Sequence, residues 1–496
     1  MIDGKGKELE TEKKVMDGLY YRLKEGVVLR GWDMLPFAVV NYNTRQVLFS
    51  KKDKMQAAIA CNGNYDFSSI LMPVVFREYA EDLVRRGLAE RCEKGEGITD
   101  EQRYRRFNNP FISEVHWEMT GRCNYKCRHC FMSAPQNRLP QLSTKSALKI
   151  VDELSECGVM TVNLSGGEPL IRPDIPLIIA ALSEKRIIIS QFYSNGALIN
   201  EKLLDVLESN GQSPTLLISY DGVDGWHDWM RDVKGASEKA ERAICLWKSR
   251  GLPVWAQSVV HKGNKGCVRD TANYLASLGC DRVRFISIDD EGEWPKRNDG
   301  MRLSIDEYYE TALSYIPMYY EDGMPLYVIF ESCFELDPAK PDEYKFPMMK
   351  TETYDPKKAL LSCRSGRFEI SPEGKVCLCH KLGNDQLEMP PLVSDVPGVK
   401  TASLSEILGE GSVYRRTMAL TCQDLTDNCE ECRNCVFLEK CLGGCRARAK
   451  QAGSLFGPDP KQCAFFRNGW QEEFAKAIRK ARPTAHSEVI KKEDES

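Results

Sequence analysis

The sequence of 496 residues has no run of about 18 consecutive apolar residues, which argues against a membrane-spanning helix. Its polar start, MIDGKGKELETEKKV, lacks the apolar stretch of a secretory signal. Neither sign of charge dominates: 68 Lys+Arg face 72 Asp+Glu, a net charge of −4. That balance argues against a cationic nucleic-acid surface and against an acidic, disordered chain. No repeat is visible beyond an alternation of strand and helix patterns. These absences point to a cytoplasmic protein with neither a membrane nor a nucleic-acid partner.

One residue type is in excess. There are 20 cysteines, and a reducing compartment favours metal binding over disulfides for clustered thiols. Ten fall between Cys363 and Cys463, and three more lie in Cys123-Asn-Tyr-Lys-Cys127-Arg-His-Cys130. With 42% hydrophobic and 28% charged residues, the chain has material for sizeable cores. At roughly 150 residues per domain it divides into about three.

Residues 16–95 carry two β-like runs, Gly26-Val-Val-Leu-Arg-Gly and Phe37-Ala-Val-Val-Asn-Tyr. A helical pattern follows from Ser68 to Arg86, stopped by Gly87. This predicts a small α+β module of winged-helix-like layout, and Glu93 to Pro110 reads as a polar linker. From Glu114 to Asp290, within a core spanning 111–300, six strands alternate with helices: Glu114–Thr120, Val159–Ser165, Arg186–Ser194, Pro214–Asp221, Pro253–His261 and Asp281–Ile288. Ser143 is the expected N-cap of the first helix. The Val/Ile-rich strands predict an α/β fold on a parallel sheet, doubly wound or curled into an open barrel. Residues 301–360 read as an irregular bridge containing a helix at Ile305–Ser314, and 361–470 as a Cys-rich domain whose core depends on metal. A helix and a charged tail fill 471–496.

Three thiols at gaps of three and two residues suit one metal centre. Zinc requires four ligands, and His129 is an available fourth; an iron–sulfur cube on three cysteines leaves one iron open. The neighbouring strand ends carry Gly166-Gly167-Glu168-Pro169, then Asn195-Gly196, then Ser219-Tyr-Asp221-Gly222. Each alone is an ordinary turn. Their recurrence on one rim, beside the cysteine loop, marks a site.

Cys123-x3-Cys127-x2-Cys130 followed by Gly166-Gly-Glu-Pro169 resembles the radical S-adenosylmethionine superfamily, over roughly 114–290. The resemblance implies a partial (βα)6 barrel and a [4Fe–4S] cluster on Cys123, Cys127 and Cys130. S-adenosylmethionine would chelate the open iron through its amino and carboxylate groups. Gly166, Gly167 and Glu168 would hold the amino group, Asn195 and Ser219 the ribose and carboxylate, and Tyr125 would lie near the adenine. Reductive cleavage then gives methionine and a 5′-deoxyadenosyl radical that abstracts a substrate hydrogen, with an electron donor such as flavodoxin or ferredoxin.

The downstream order Cys363-x10-Gly374-x4-Cys379, Cys432-x2-Cys435-x5-Cys441-x3-Cys445, then Cys463, resembles the SPASM extension of such enzymes. It implies two auxiliary [4Fe–4S] clusters. One would sit on Cys432, Cys435, Cys441 and Cys463; the other would sit on Cys363, Cys379 and Cys445, with Cys333, Cys377 or an open site in fourth place. Cys61, Cys92, Cys157, Cys245, Cys267 and Cys280 read as buried apolar thiols. No general base is assigned, since a lone histidine beside cysteines, such as His129 or His380, more often has a structural role.

The layout of the N-terminal module resembles the PqqD-like element of peptide-modifying enzymes, where a strand edge takes up a leader peptide; plain packing is the alternative. The implied substrate is a ribosomally made precursor peptide with a leader. The implied product is a thioether or carbon–carbon cross-link, or an inverted α-carbon. Sulfatase maturases form a second SPASM class, which usually places Asp after the second extension cysteine; here His380 follows Cys379. A zinc-scaffolded binding protein is the non-enzymatic alternative.

Overall fold

The structure is a computed structural model that describes residues 18–134, 139–288, 292–297, 300–350, 354–382 and 389–482. The charged tail beyond 482 lies outside them. The described chain divides into two compact units, Met1–Phe111 and Ile112–Ser496. Among the described residues no helix is long and apolar enough to cross a membrane.

The first unit contains β1 (Tyr20–Leu23), β2 (Val27–Asp33), β3 (Leu35–Asn41), β4 (Gln46–Phe49), α1 (Lys52–Ala60), α2 (Val74–Arg85), β5 (Ala89–Cys92) and β6 (Arg105–Pro110). The two expected strands are present as β2 and β3. The helix starts later than predicted because Pro73 sets its N-terminus, and it ends before Gly87, whose φ of +72° takes the left-handed turn. The expected linker differs. Residues 105–110 form a strand that pairs parallel to β2 in a sheet of order β4-β3-β2-β6. Polar Arg105, Arg106 and Asn108 mask it in sequence; Phe107 and Asn109 are buried. The module's core is Tyr21, Leu29, Val39, Met55, Phe67, Ala80 and Leu83.

The second unit is built on β7 (Glu114–Glu118), α3 (Thr144–Glu156), β8 (Thr161–Ser165), α4 (Ile175–Glu184), β9 (Ile188–Ser194), α5 (Glu201–Ser209), β10 (Thr215–Ser219), α6 (Trp226–Arg231), α7 (Ala236–Ser249), β11 (Val254–Val260), α8 (Val268–Ser277) and β12 (Arg282–Ser287). All six predicted strands form, parallel and in sequence order. Ser143 caps α3 by accepting the Ser146 N–H. Beyond α9 (Trp294–Arg297) and α10 (Ile305–Glu321), the bridge is not irregular: β13 (Tyr327–Phe330) continues the sheet parallel to β12, and β14 (Phe334–Leu336) and β15 (Tyr344–Lys345) extend it. At the opposite edge, β16 (Arg367–Ile370) from the Cys-rich region pairs parallel with β7, and β17 (Val376–Cys377) follows. The sheet runs from β15 to β17 without closing, which is a partial barrel.

The strands alternate. Val115, Trp117, Val162, Leu164 and Phe192 join the hydrophobic core, whereas His116, Glu118, Asn163, Ser165, Gln191 and Tyr193 line a cavity. A Val/Ile-rich reading alone suggests strands apolar on both faces; here the period of two leaves a polar inner face. Packing on the outer face buries Trp117 and Trp247 almost completely.

Candidate functional site

The three cysteines of the first loop come directly after β7 and line a cavity of about 720 Å³ together with Tyr125, Gly166, Gly167, Asn195 and Ser219. The loop aims backbone and side-chain donors at the sulfurs. Tyr125 N–H donates to Cys123 Sγ at 3.4 Å, Ala134 N–H to Cys130 Sγ at 3.4 Å, and Arg231 Nη1 to Cys127 Sγ at 3.6 Å. Such donors favour the thiolate form, while burial pushes the Cys123 thiol up to about 12. A bound cation resolves that conflict, because its charge replaces the lost solvation.

The paired glycines hold two loops together backbone to backbone. Gly167 N–H donates to Thr120 O at 2.8 Å and Glu168 N–H to Arg122 O at 2.9 Å. A Cβ on Gly167 would stand 2.1 Å from Arg122 O, and one on Gly166, at φ +135°, 2.6 Å from Thr120 O. Only glycine allows this approach.

Glu168 does not line the cavity. Its carboxylate is fully buried and accepts from Ser194 Oγ at 3.0 Å, Asn195 N–H at 2.8 Å and Leu170 N–H at 3.3 Å, and burial pushes its pKa up to about 7. Asn195 in turn donates through Nδ2 to Asn124 Oδ1 at 2.8 Å. Glu168 thus positions Asn195 against the cysteine loop.

For His129, the possible fourth zinc ligand, burial lowers the pKa to about 3, and the Arg231 charge adds to the fall. A tetrahedral zinc site would bring its ligand atoms to within about 4 Å of one another. Among the described residues the group of ligand atoms within 4.8 Å of one another is Glu369, Cys379 and His380, not the first three thiols with His129. The wider spread suits a cube better than a single ion. The wall also carries an orphan: Tyr125, which lines the cavity, has a buried hydroxyl with no hydrogen-bond partner. The donor set and this unspent hydroxyl fit a cluster with a polar ligand beside it.

Cys379 and Cys445 line the same cavity. Cys445 is near enough to raise both the Cys363 and Cys379 thiols, whereas Cys463 feels Cys435, and Cys441 perturbs Cys432 and is perturbed by Cys463. The thiols thus lie in two neighbourhoods. Asp459 ties the two together: its buried carboxylate accepts Cys445 N–H at 2.8 Å, binds Arg448 at 2.7 Å and caps the helix Pro460–Arg467 that carries Cys463. Cys377 lies beside Cys379 and lines an adjoining cavity of about 490 Å³. Cys333 is fully buried against Lys461 and Glu331.

Several functional neighbours went unread in the sequence. Cys429 accepts the Cys432 N–H at 3.4 Å. Arg284–Glu331 and Arg364–Glu369 are ion pairs on the cavity wall, and Glu118 there is pushed up to about 7 by burial. The alternation Glu114-Val-His-Trp-Glu118 was the available signal for the inner face. Of the six thiols expected to be buried, Cys61, Cys157 and Cys280 are; Cys92 and Cys267 are half-buried and Cys245 is exposed, being carried on the outer helix α7.

Comparison with known proteins places these features. Residues 117–275 match the model of the Radical SAM superfamily. A PqqA peptide cyclase of Gluconobacter oxydans is 25% identical over 348 residues, 69% of this chain and 88% of that one. An Fe-coproporphyrin III synthase of Methanosarcina barkeri is 27% identical over 361 residues, 70% and 86% of the two chains. The subtilosin biosynthesis protein AlbA of Bacillus subtilis is 29% identical over 188 residues, 37% of this chain and 42% of that one. Among solved structures, Streptococcus suis SuiB bound to precursor peptide SuiA superposes with a TM-score of 0.61 at 14% identity, covering 89% of this chain and 99% of that one.

Proposed function

We propose, on the premise that residues 117–275 are a radical S-adenosylmethionine domain, that the chain cross-links a ribosomally made precursor peptide. A thioether is the first product class and a carbon–carbon bond the second. One observation carries this reading: Cys123, Cys127 and Cys130 share a single cavity with Cys379 and Cys445. A substrate held there lies between two iron–sulfur centres, one to begin a radical reaction and one to take up the remaining electron.

In this reading Cys123, Cys127 and Cys130 hold the [4Fe–4S] cluster, and Tyr125, Gly166, Gly167, Asn195 and Ser219 hold S-adenosylmethionine, with Glu168 fixing Asn195. When bound, that pair supplies hydrogen abstraction through one-electron cleavage of the sulfonium. The chain's own residues orient the nucleotide and exclude water; the polar inner face of β7–β12 gives the peptide backbone hydrogen-bonding partners. Cys432, Cys435, Cys441 and Cys463 hold one auxiliary cluster, and Cys363, Cys379 and Cys445 the other. The electron comes from a flavodoxin- or ferredoxin-type donor in the cytoplasm.

The N-terminal module recognises the leader. Its support is the sheet order, which leaves β4 at an edge able to accept an added strand. The peptide reading draws support from the named peptide cyclase and AlbA relatives, and from a fold likeness to SuiB that spans 89% of the chain.

The test is anaerobic reaction of the reconstituted protein with S-adenosylmethionine, a low-potential reductant and each short peptide that the reading frames flanking its gene are found to encode. The expected outcome is 5′-deoxyadenosine together with a peptide lighter by two hydrogens. Formation of 5′-deoxyadenosine with an unchanged peptide, and modification of a sulfatase instead, would refute the substrate class.

A further inference from the structure

Asp221, in the turn after β10, and Arg231, at the end of α6 on the cavity wall, form a charged pair beside the first cysteine loop. Asp221 is fully buried. Its carboxylate accepts from Arg231 twice, Nε to Oδ2 at 2.7 Å and Nη2 to Oδ1 at 3.1 Å, and from the Val259 N–H at 3.1 Å. The remaining arm of the same guanidinium, Nη1, donates to Cys127 Sγ at 3.6 Å. Arg231 is itself buried, and the two contacts to Asp221 fix its guanidinium.

The loop is fastened to the same helix from the other side. Arg128 N–H donates to Met230 O at 2.9 Å, Arg128 Nε to Trp229 O at 2.8 Å, and the Arg128 guanidinium lies 4.5 Å over the Trp229 ring. The distance from guanidinium to sulfur is therefore set by two independent anchors: Asp221 holds Arg231, and the end of α6 holds the loop around Cys127.

We propose that Arg231 and Asp221 together set the reduction potential of the centre on Cys127, the cation raising it and the carboxylate tempering it. The inference rests on the reading that Cys123, Cys127 and Cys130 hold a [4Fe–4S] cluster. One-electron reduction adds negative charge to the cube and its thiolates. A buried cation hydrogen-bonded to a ligand sulfur stabilises that added charge, and hydrogen bonds to sulfur and local net charge are what tune such potentials. Asp221 bears an opposite charge one bidentate contact further away and offsets part of the effect. Arg231 acts through Cys127 and is a positioning residue.

The experiment is a redox titration of the reconstituted holoprotein, following the electron paramagnetic resonance signal that S-adenosylmethionine perturbs. That response assigns the signal to the first centre rather than to an auxiliary one. Iron and sulfide are measured on each variant. R231Q is expected to lower the midpoint potential and D221N to raise it, with iron and sulfide contents equal to wild type. A purely structural pair would give no shift or shifts of one sign, and either result overturns the inference. If R231Q holds no cluster, D221N decides alone: a midpoint at or below wild type refutes it. If the wild-type protein itself shows no signal that responds to S-adenosylmethionine, the cluster reading has failed first, and this inference falls with it.

Discussion

Glu168 Oε2 accepts the backbone N–H of Asn195 at 2.8 Å, linking the end of β8 to the end of β9 through a buried carboxylate. The same group holds Ser194 Oγ at 3.0 Å. Glu168→Ala leaves both donors buried and unpaired, at a cost of about 1–3 kcal/mol each. It also frees Asn195, whose side chain contacts Asn124 in the cysteine loop. The expected result is a lower melting temperature and weaker S-adenosylmethionine binding, read by calorimetry on the apo- and holoprotein.

The same carboxylate gives a pH signature. Burial raises its pKa from 4.5 to about 7, so the folded chain keeps a proton that the unfolded chain releases. Its contribution is fully present below about pH 4.5 and is lost as pH rises towards 7, on the order of 3 kcal/mol. Glu168→Gln cannot titrate. Relative to wild type, the Gln variant should therefore gain stability between pH 5 and 7, measured as the difference between two denaturation series. A constant difference across that range would show that Glu168 does not titrate as its burial requires.

Gly167→Ala tests the loop contact. Its Cβ would stand 2.1 Å from Arg122 O, and backbone there has little room to yield; overpacking of this kind costs about 1–3 kcal/mol. The cysteine loop must move. Iron at the first centre should fall while auxiliary iron is retained, as read by iron analysis and spectroscopy.

Replacing Cys123, Cys127 and Cys130 together with Ala should abolish cleavage of S-adenosylmethionine and lower the iron from roughly twelve to roughly eight per chain. Persistent 5′-deoxyadenosine formation would remove these residues from the role proposed for them.

The N-terminal unit ends at Phe111, and β6 belongs to its sheet. Deleting residues 1–95 would strand β6 without its partner β2, whereas deleting 1–111 removes a whole unit. Both truncations should lose affinity for the leader peptide, and the shorter deletion should aggregate more, as measured by peptide titration and light scattering. Unchanged affinity in the longer deletion would return the module to a packing role.

The six barrel strands and the helix cap at Ser143 were legible because hydrophobic periodicity and capping are local. The cysteine spacings were legible because they lie within one short loop, Cys123 to Cys130. β6 and β16 were not, because each becomes a strand by pairing with a partner distant in sequence, Arg367 lying opposite Glu114, and β13–β15 were not because they are only two to four residues long. Glu168 shows the same limit. Its place after two glycines marked it as part of the site, but its work on Asn195 is visible only when β8 and β9 lie side by side. The sequence by itself determined the cysteine spacings and the parallel α/β core, since both are patterns that run along the chain. Tertiary structure alone decided what faces the cavity. Which thiols, carboxylates and guanidinium groups meet there depends on strand pairing, and a pairing joins residues that no local pattern connects.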